Sequence, residues 1–321
     1  MEGGKKRVAT LVGCNYANTR NELHGCINDV LAMRDVLVSR FGFKPEDVEL
    51  LTDAPGSPVL PTGENIRRAL ACMVASAEPG DVLFFHYSGH GTLISPARPF
   101  HHGSKRDEAI VPCDFNLITD VDFRQLVDKL PSGVSFTIIS DSCHSGGLID
   151  KEKEQIGPST VTDRASPAAH YNQKLIPLDS LVQHLSSLSG VVSPHVGDHL
   201  WHLFGTEMSP SLTGRPANPL LKKSNDNDDG ILLSGCQMNE TSADMSPGNE
   251  TGKAYGAFSN SIQMVLREHD GVLSNRELVT RARHLLREQG FVQHPCLYCS
   301  DENADAPFLW QPKPVKLKSS L

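Results

Sequence analysis

Apolar positions along this chain fall into two patterns. Short continuous runs at 7–13, 47–51, 82–87, 136–140 and 231–236 read as strands buried on both faces. Between them, apolar residues recur at helical spacing. Residues 26–40 carry Ile27, Val30, Leu31, Val36 and Leu37 on one period. A helix opening at Pro61-Thr62-Gly63-Glu64 turns Ile66, Leu70, Met73 and Val74 inward, and 122–130 is helical. Strands that are continuously apolar and alternate with helices predict an α/β fold with a parallel central sheet covered by helices. In such sheets, ligands bind beyond the carboxyl ends of the strands.

From about 150 to 230 the pattern breaks. Lys151-Glu152-Lys153-Glu154, a Ser- and Pro-rich run to Ala169, and the polar stretch 222–230 are linker-like, with a short helical piece at 178–188. Order resumes at 231–236, followed by helices near 257–268 and 274–289 and a strand at 292–298.

Composition narrows the function classes. At 321 residues the chain can bury a full core. A net charge of −8 argues against nucleic acid as a partner. No stretch approaches the roughly 18–20 apolar residues of a membrane helix, so no membrane partner is expected. Met1 to Arg7 lacks the apolar region and cleavage site of a signal peptide, so a cytoplasmic location is expected, with the nucleus open. The eight cysteines are then expected as reduced thiols. Cys296 and Cys299 have only His294 close by, too few ligands for structural zinc, and fit buried thiols in a strand.

Two of the apolar runs end in small-residue turns that carry reactive groups. Phe84-Phe85-His86-Tyr87-Ser88 leads into Gly89-His90-Gly91, and Ile138-Ile139-Ser140-Asp141-Ser142 leads into Cys143-His144-Ser145-Gly146-Gly147. A thiol at a strand end can reach solvent and a substrate carbonyl, and a nearby imidazole can take its proton and pass it to a leaving amine. Glycines beside them let backbone approach closely and present N–H groups to a developing oxyanion. The bland alternative, a core cysteine and a turn histidine, does not account for both residues ending apolar strands beside glycine.

The sequences His86-Tyr87-Ser88-Gly89-His90-Gly91 and Asp141-Ser142-Cys143-His144-Ser145-Gly146 resemble the two signatures of metacaspases, within the caspase-like cysteine protease clan. The separation of His90 and Cys143 is close to the roughly fifty residues by which the caspase His precedes its Cys. The resemblance extends through Val12 to Tyr16, Leu23 to Asp29 and Gly235-Cys236-Gln237. With no Pro-rich or zinc-finger extension and a linker between the halves, the chain is most similar to type II plant metacaspases, the short, metacaspase-9-like kind. The resemblance implies a caspase-like sandwich. Its large catalytic part would be 1–150, the linker with a self-cleavage site 151–229 and the small part 230–321. It also implies Cys143 as nucleophile, His90 as base, and oxyanion donors at the backbone N–H groups of Gly91 and Cys143.

Specificity follows partly from charge. Asp141 stands two positions before the thiol, where the caspase signature has a neutral Gln, and a carboxylate there repels an acidic substrate side chain and favours a cation. Asp29, on the helix entered at Cys26, is a second acid. Metacaspases cleave after Arg or Lys, and the matching pocket residues are Cys26, Asp29, Ser88 and Asp141. The linker offers an internal substrate at Lys174, with Arg164, Lys151 and Lys153 as rivals. Partners are then protein or peptide substrates with Arg or Lys before the cut bond, and protease inhibitors; a monomer is expected. Many metacaspases need calcium, and the resemblance puts ligands near Asp107, Glu108, Asp120, Asp122 and Asp150, hard oxygen donors that suit the ion. The acidic stretch that the family carries after the His is replaced here by 99–106, which has no acid, so calcium is an option and not a requirement. Roles in programmed cell death or stress responses are those of the family. A non-catalytic binding protein on the same fold is the rival to an endopeptidase made as a zymogen.

Overall fold

The computed structural model describes residues 5–94, 107–143, 147–149, 152–158, 171–213, 230–237, 240–245 and 252–309. In chain order the strands are β1 (Arg7–Gly13), β2 (Val48–Thr52), β3 (Val82–Ser88), β4 (Gly91–Ile94), β5 (Asp107–Ile110), β6 (Ile118–Thr119), β7 (Ser135–Asp141), β8 (Glu154–Ile156), β9 (Asn172–Gln173), β10 (Gly230–Ser234), β11 (Ala243–Met245), β12 (Tyr255–Gly256) and β13 (Cys296–Tyr298). The helices are α1 (Cys26–Phe41), α2 (Gly63–Ala75), α3 (Asp120–Val127), α4 (Leu178–Ser189), α5 (Val196–Phe204), α6 (Ala257–Glu268), α7 (Asn275–Glu288) and α8 (Asp301–Asp305).

Seven strands form the main sheet in the order β2-β1-β3-β7-β10-β13-β8. From β2 to β10 every pair is parallel; β13 is antiparallel to both of its neighbours. The expected fold class is therefore the observed one. All seven residues of β3 are buried, because both faces of the sheet are covered. Alternate side chains feed two separate cores. Leu83, Phe85, Tyr87, Phe136 and Ile138 pack with residues of α2 to α5, and Phe84, Ile139, Ile231 and Leu233 with residues of α1, α6 and α7.

Helix starts obey local chemistry. Thr62 caps α2 by accepting from Asn65 N, and Thr119 with Asp122, and Ser274 with Glu277, form capping boxes at α3 and α7. The 151–229 stretch carries regular structure in its described parts: β8 on the edge of the main sheet, β9, and the helical hairpin of α4 and α5. All eight cysteines are free thiols, and both Cys296 and Cys299 are buried. Among the described residues no helix is long and apolar enough to cross a membrane.

Candidate active site

Register brings the two strand ends together. In the parallel pair β3 and β7, Ser88 lies opposite Asp141, so both strands stop at one height. Beyond Ser88 the chain turns through Gly89 and His90 into β4. Position 91 must be glycine, since a Cβ there would lie 1.9 Å from the Cys143 carbonyl oxygen.

A segment of the chain itself crosses these strand ends. Asn172 and Gln173 pair antiparallel with Asp244 and Ala243 of β11. Lys174 N–H donates to the Ser242 carbonyl at 3.0 Å. The Lys174 carbonyl oxygen accepts from Gly91 N at 2.9 Å and Cys143 N at 3.3 Å. Two N–H groups thus converge on one carbonyl, the geometry that stabilises a tetrahedral oxyanion. This overturns the expectation that Cys143 reaches solvent: its side chain is buried because residues 172–176 lie across it. Cys143 Sγ accepts from Ser242 N at 3.0 Å.

The Lys174 side chain descends between the strand ends and is wholly buried. Its Nζ donates to Ser88 Oγ at 2.9 Å and lies 3.2 Å from Asp141 Oδ2 and 3.5 Å from Asp29 Oδ2. Ser88 Oγ donates in turn to Asp29 Oδ2 at 2.7 Å. Backbone N–H groups at the start of α6 complete the shell: Gly256 N donates to Asp29 at 2.9 Å and Ser259 N to Asp141 at 2.8 Å. A lysine is buried only when its charge is paired and its donors are satisfied. Burial works against its charge, but the carboxylates of Asp141 and Asp29 outweigh it, so its pKa lies above that of an ordinary lysine. Two carboxylates around one ammonium leave one negative charge in surplus. Burial, opposed by Lys174 and assisted by Asp141, pushes the Asp29 carboxyl above its ordinary pKa. Cys26 starts α1 at the edge of this group, and burial raises its thiol pKa well above the usual range.

His90 is also almost fully buried. Its Nε2 lies 2.7 Å from the Asn21 carbonyl oxygen, which can only accept, so the ring proton sits on Nε2. Nδ1 is left with a lone pair and no hydrogen-bond partner among the described residues. Burial holds the ring down at about 4, against the Asn21 carbonyl, which raises it. Two tyrosines clamp the His90 backbone. Tyr16 Oη accepts from His90 N at 3.0 Å, and Tyr87 Oη donates to His90 O at 2.7 Å. The Tyr16 ring also lies 4.8 Å from the imidazole. Asp53 fixes the loop that carries Tyr16 by accepting from Asn15 N and Tyr16 N at 2.8 and 2.6 Å.

Cys26, Asp29, Ser88, His90, Gly91, Asp141, Cys143 and Lys174 therefore meet in one place. Of the rival cleavage sites, Lys153 is an exposed partner of Asp301, and Lys151 and Arg164 lie outside the described residues. Sequence reasoning missed Asn21, Tyr16, Ser242, Asp244 and Gly256. Asp244 accepts from His24 N and Gly25 N at 2.9 Å each, tying β11 to the turn before α1. Gln293 anchors the other side of β11, accepting from Ala243 N and donating to Gly235 O.

Compared with known proteins, residues 6–306 match the family model of the caspase domain. The chain is 59% identical to Metacaspase-9 of Arabidopsis thaliana over 96% of its own length and 98% of that protein. This chain belongs to the metacaspases. It is thus a cysteine-type peptidase, in agreement with the resemblance carried by the two strand-end motifs. Other metacaspases match over similar lengths. Metacaspase-4 of Arabidopsis thaliana is 38% identical over 94% of this chain and 99% of that one. Metacaspase-1 of Schizosaccharomyces pombe is 36% identical over 92% and 67%. Among solved structures, protein GSU0716 of Geobacter sulfurreducens shares the fold, with a TM-score of 0.60 at 18% identity over 94% of this chain and 97% of that one.

For a metacaspase the calcium question can be put to the donors themselves. Asp122 is spent on the cap of α3, accepting from Thr119 N, and on Ser209 Oγ. Glu108 accepts from Gly147 N. Burial, and then Asp107, push the Asp120 carboxyl up to about 7. Asp150 lies outside the described residues. Among the described residues no group of three or more His, Cys, Asp or Glu side chains is arranged to hold a metal. Among the described residues these donors form no calcium cage, and no step below is routed through the ion.

Proposed function

We propose that this metacaspase is an endopeptidase that cuts after Lys or Arg, is made as a zymogen, and first cuts its own Lys174–Leu175 bond. One observation carries the reading: the Lys174 ammonium lies among Ser88, Asp29 and Asp141 while its carbonyl oxygen accepts from Gly91 N and Cys143 N.

In this reading Cys143 Sγ attacks the Lys174 carbonyl carbon, and the carbonyl electron pair moves to the oxygen held by the two N–H groups. His90 Nδ1 takes the thiol proton and delivers it to the Leu175 nitrogen as the C–N bond breaks. Water, deprotonated by the same ring, then hydrolyses the thioester. Once the Lys174 side chain leaves, two buried carboxylates favour another cation, so protein substrates and inhibitors presenting Lys or Arg follow. The linker cut, the basic specificity and a role in cell death or stress responses form one proposal, the last on family membership.

N-terminal sequencing of the fragments formed by the purified chain tests it, together with a peptide panel. A new N-terminus at Leu175 is expected, and Lys or Arg before the cut bond should outrun Gln or Asp by about a thousandfold or more. Unchanged fragments from a Lys174→Gln chain, or equal turnover across the panel, would sink the reading.

The ring environment also sets a pH expectation. His90 acts as a base only when neutral, and burial lowers its pKa, so the neutral form persists to lower pH than in an ordinary histidine. Self-cleavage of the uncut chain should hold from pH 7 down to about 5 and fall through about 4. A half-loss at the ordinary histidine value near 6.5 would contradict the assignment of His90.

A further inference from the structure

The chain after Lys174 is gripped as firmly as the chain before it. Leu175 forms a parallel bridge with Gly91. Ile176 N donates to the Gly91 carbonyl at 3.1 Å, and Thr92 Oγ1 donates to the Ile176 carbonyl at 2.8 Å. The segment thus joins β4 as an added strand, the way many extended peptides are recognised. Burial along it is uneven. Asn172 and Gln173 are exposed, Lys174 is buried, Leu175 is half-buried, Ile176 is 1% exposed and Pro177 is exposed again. Ile176 belongs to the same apolar cluster as Ile94, Phe115, Leu181 and Leu185.

We infer that the site reads a second substrate position: an aliphatic side chain two residues after the cut bond, held in an apolar subsite beside Thr92. The inference rests on the Lys174–Leu175 bond being the one cut. Bonds to the Gly91 backbone and the Thr92 hydroxyl fix the register of any extended substrate, so its second residue past the cut falls where Ile176 sits. A carboxylate at that position would be buried among apolar side chains without a partner. Cutting frees the Leu175 end from Lys174, and the corresponding residues of an incoming substrate take the same ladder positions. Substrate choice is then set by two anchors two positions apart, a cation and an aliphatic group.

Quenched peptides carrying residues 172–178 test this on the self-processed enzyme, with Ile, Gly or Asp at the Ile176 position and with Lys or Gln at the Lys174 position. Burial of an isoleucine side chain corresponds to about a ten- to a hundredfold preference in kcat/KM for Ile over Asp, with Gly between. Equal turnover of the Ile and Asp peptides, with the Gln peptide still uncut, overturns the apolar subsite and leaves the basic specificity standing. Equal turnover of the Lys and Gln peptides overturns both.

Discussion

Gly256→Ala is expected to close the pocket and cut both self-cleavage and hydrolysis of Lys or Arg peptides by about a hundred- to a thousandfold. A Cβ at this position would lie 2.2 Å from Lys174 Nζ, 2.3 Å from Asp141 Oδ2 and 2.5 Å from Asp29 Oδ2. Those three groups also bond to one another and to neighbouring groups, so moving them aside disturbs the Lys174 contacts with Ser88, Asp141 and Asp29. Forcing the ammonium away from its carboxylates breaks a buried ion pair, which costs about 3–5 kcal/mol. The backbone itself is indifferent to the change. Gly256 has φ −77° and ψ 132°, a conformation that alanine adopts freely. The variant should therefore stay folded by circular dichroism while losing activity, and full activity in it would remove Gly256 from the pocket wall.

Asp141→Asn is expected to be nearly as damaging, and worse than Asp29→Asn. The exchange keeps the shape of the side chain and removes one charge from a fully buried site. Asp141 is the nearer carboxylate, at 3.2 Å against 3.5 Å, and acts first among the charges that hold up the pKa of Lys174. Burial, assisted by Asp141, pushes the Asp29 carboxyl above its ordinary pKa and so weakens it as a counter-charge. Self-cleavage at pH 6.5 should fall about a hundredfold for Asp141→Asn and about tenfold for Asp29→Asn. The reverse ranking at pH 6.5 would mean that Asp29 supplies the main counter-charge.

The frame of this site could be read from sequence because the two central strands are long and buried on both faces. Their apolar runs stop where Gly89-His90-Gly91 and Cys143 begin, so strand ends and reactive groups were visible together. Asp29 and Asp141 stood out by residue type. Gly256, Asp244 and Ser242 did not, because β11 and β12 are two or three residues long and show no period. Their positions are set by pairings, Asp244 with Gly256 across a loop and Ala243 with the distant Gln173, that no local pattern announces. Nor could the burial of Lys174 be foreseen. A lysine in a polar stretch reads as solvated, and only Asp29, Ser88 and Asp141, each from a distant element, reverse that cost.

The order β7-β10-β13-β8 has a consequence for the lifetime of a cut molecule. A break after Lys174 leaves β7 and β8 on one polypeptide and β10 and β13 on the other, so the second chain's pair of strands is clasped between strands of the first. The halves cannot part without undoing both ladders, and dilution alone should not separate them. Unfolding then releases two chains instead of one, and refolding becomes second order in concentration. On the proposed self-cut, activation would come together with an expiry: the cut molecule persists while folded, but at cellular dilution it has no quick route back once it opens.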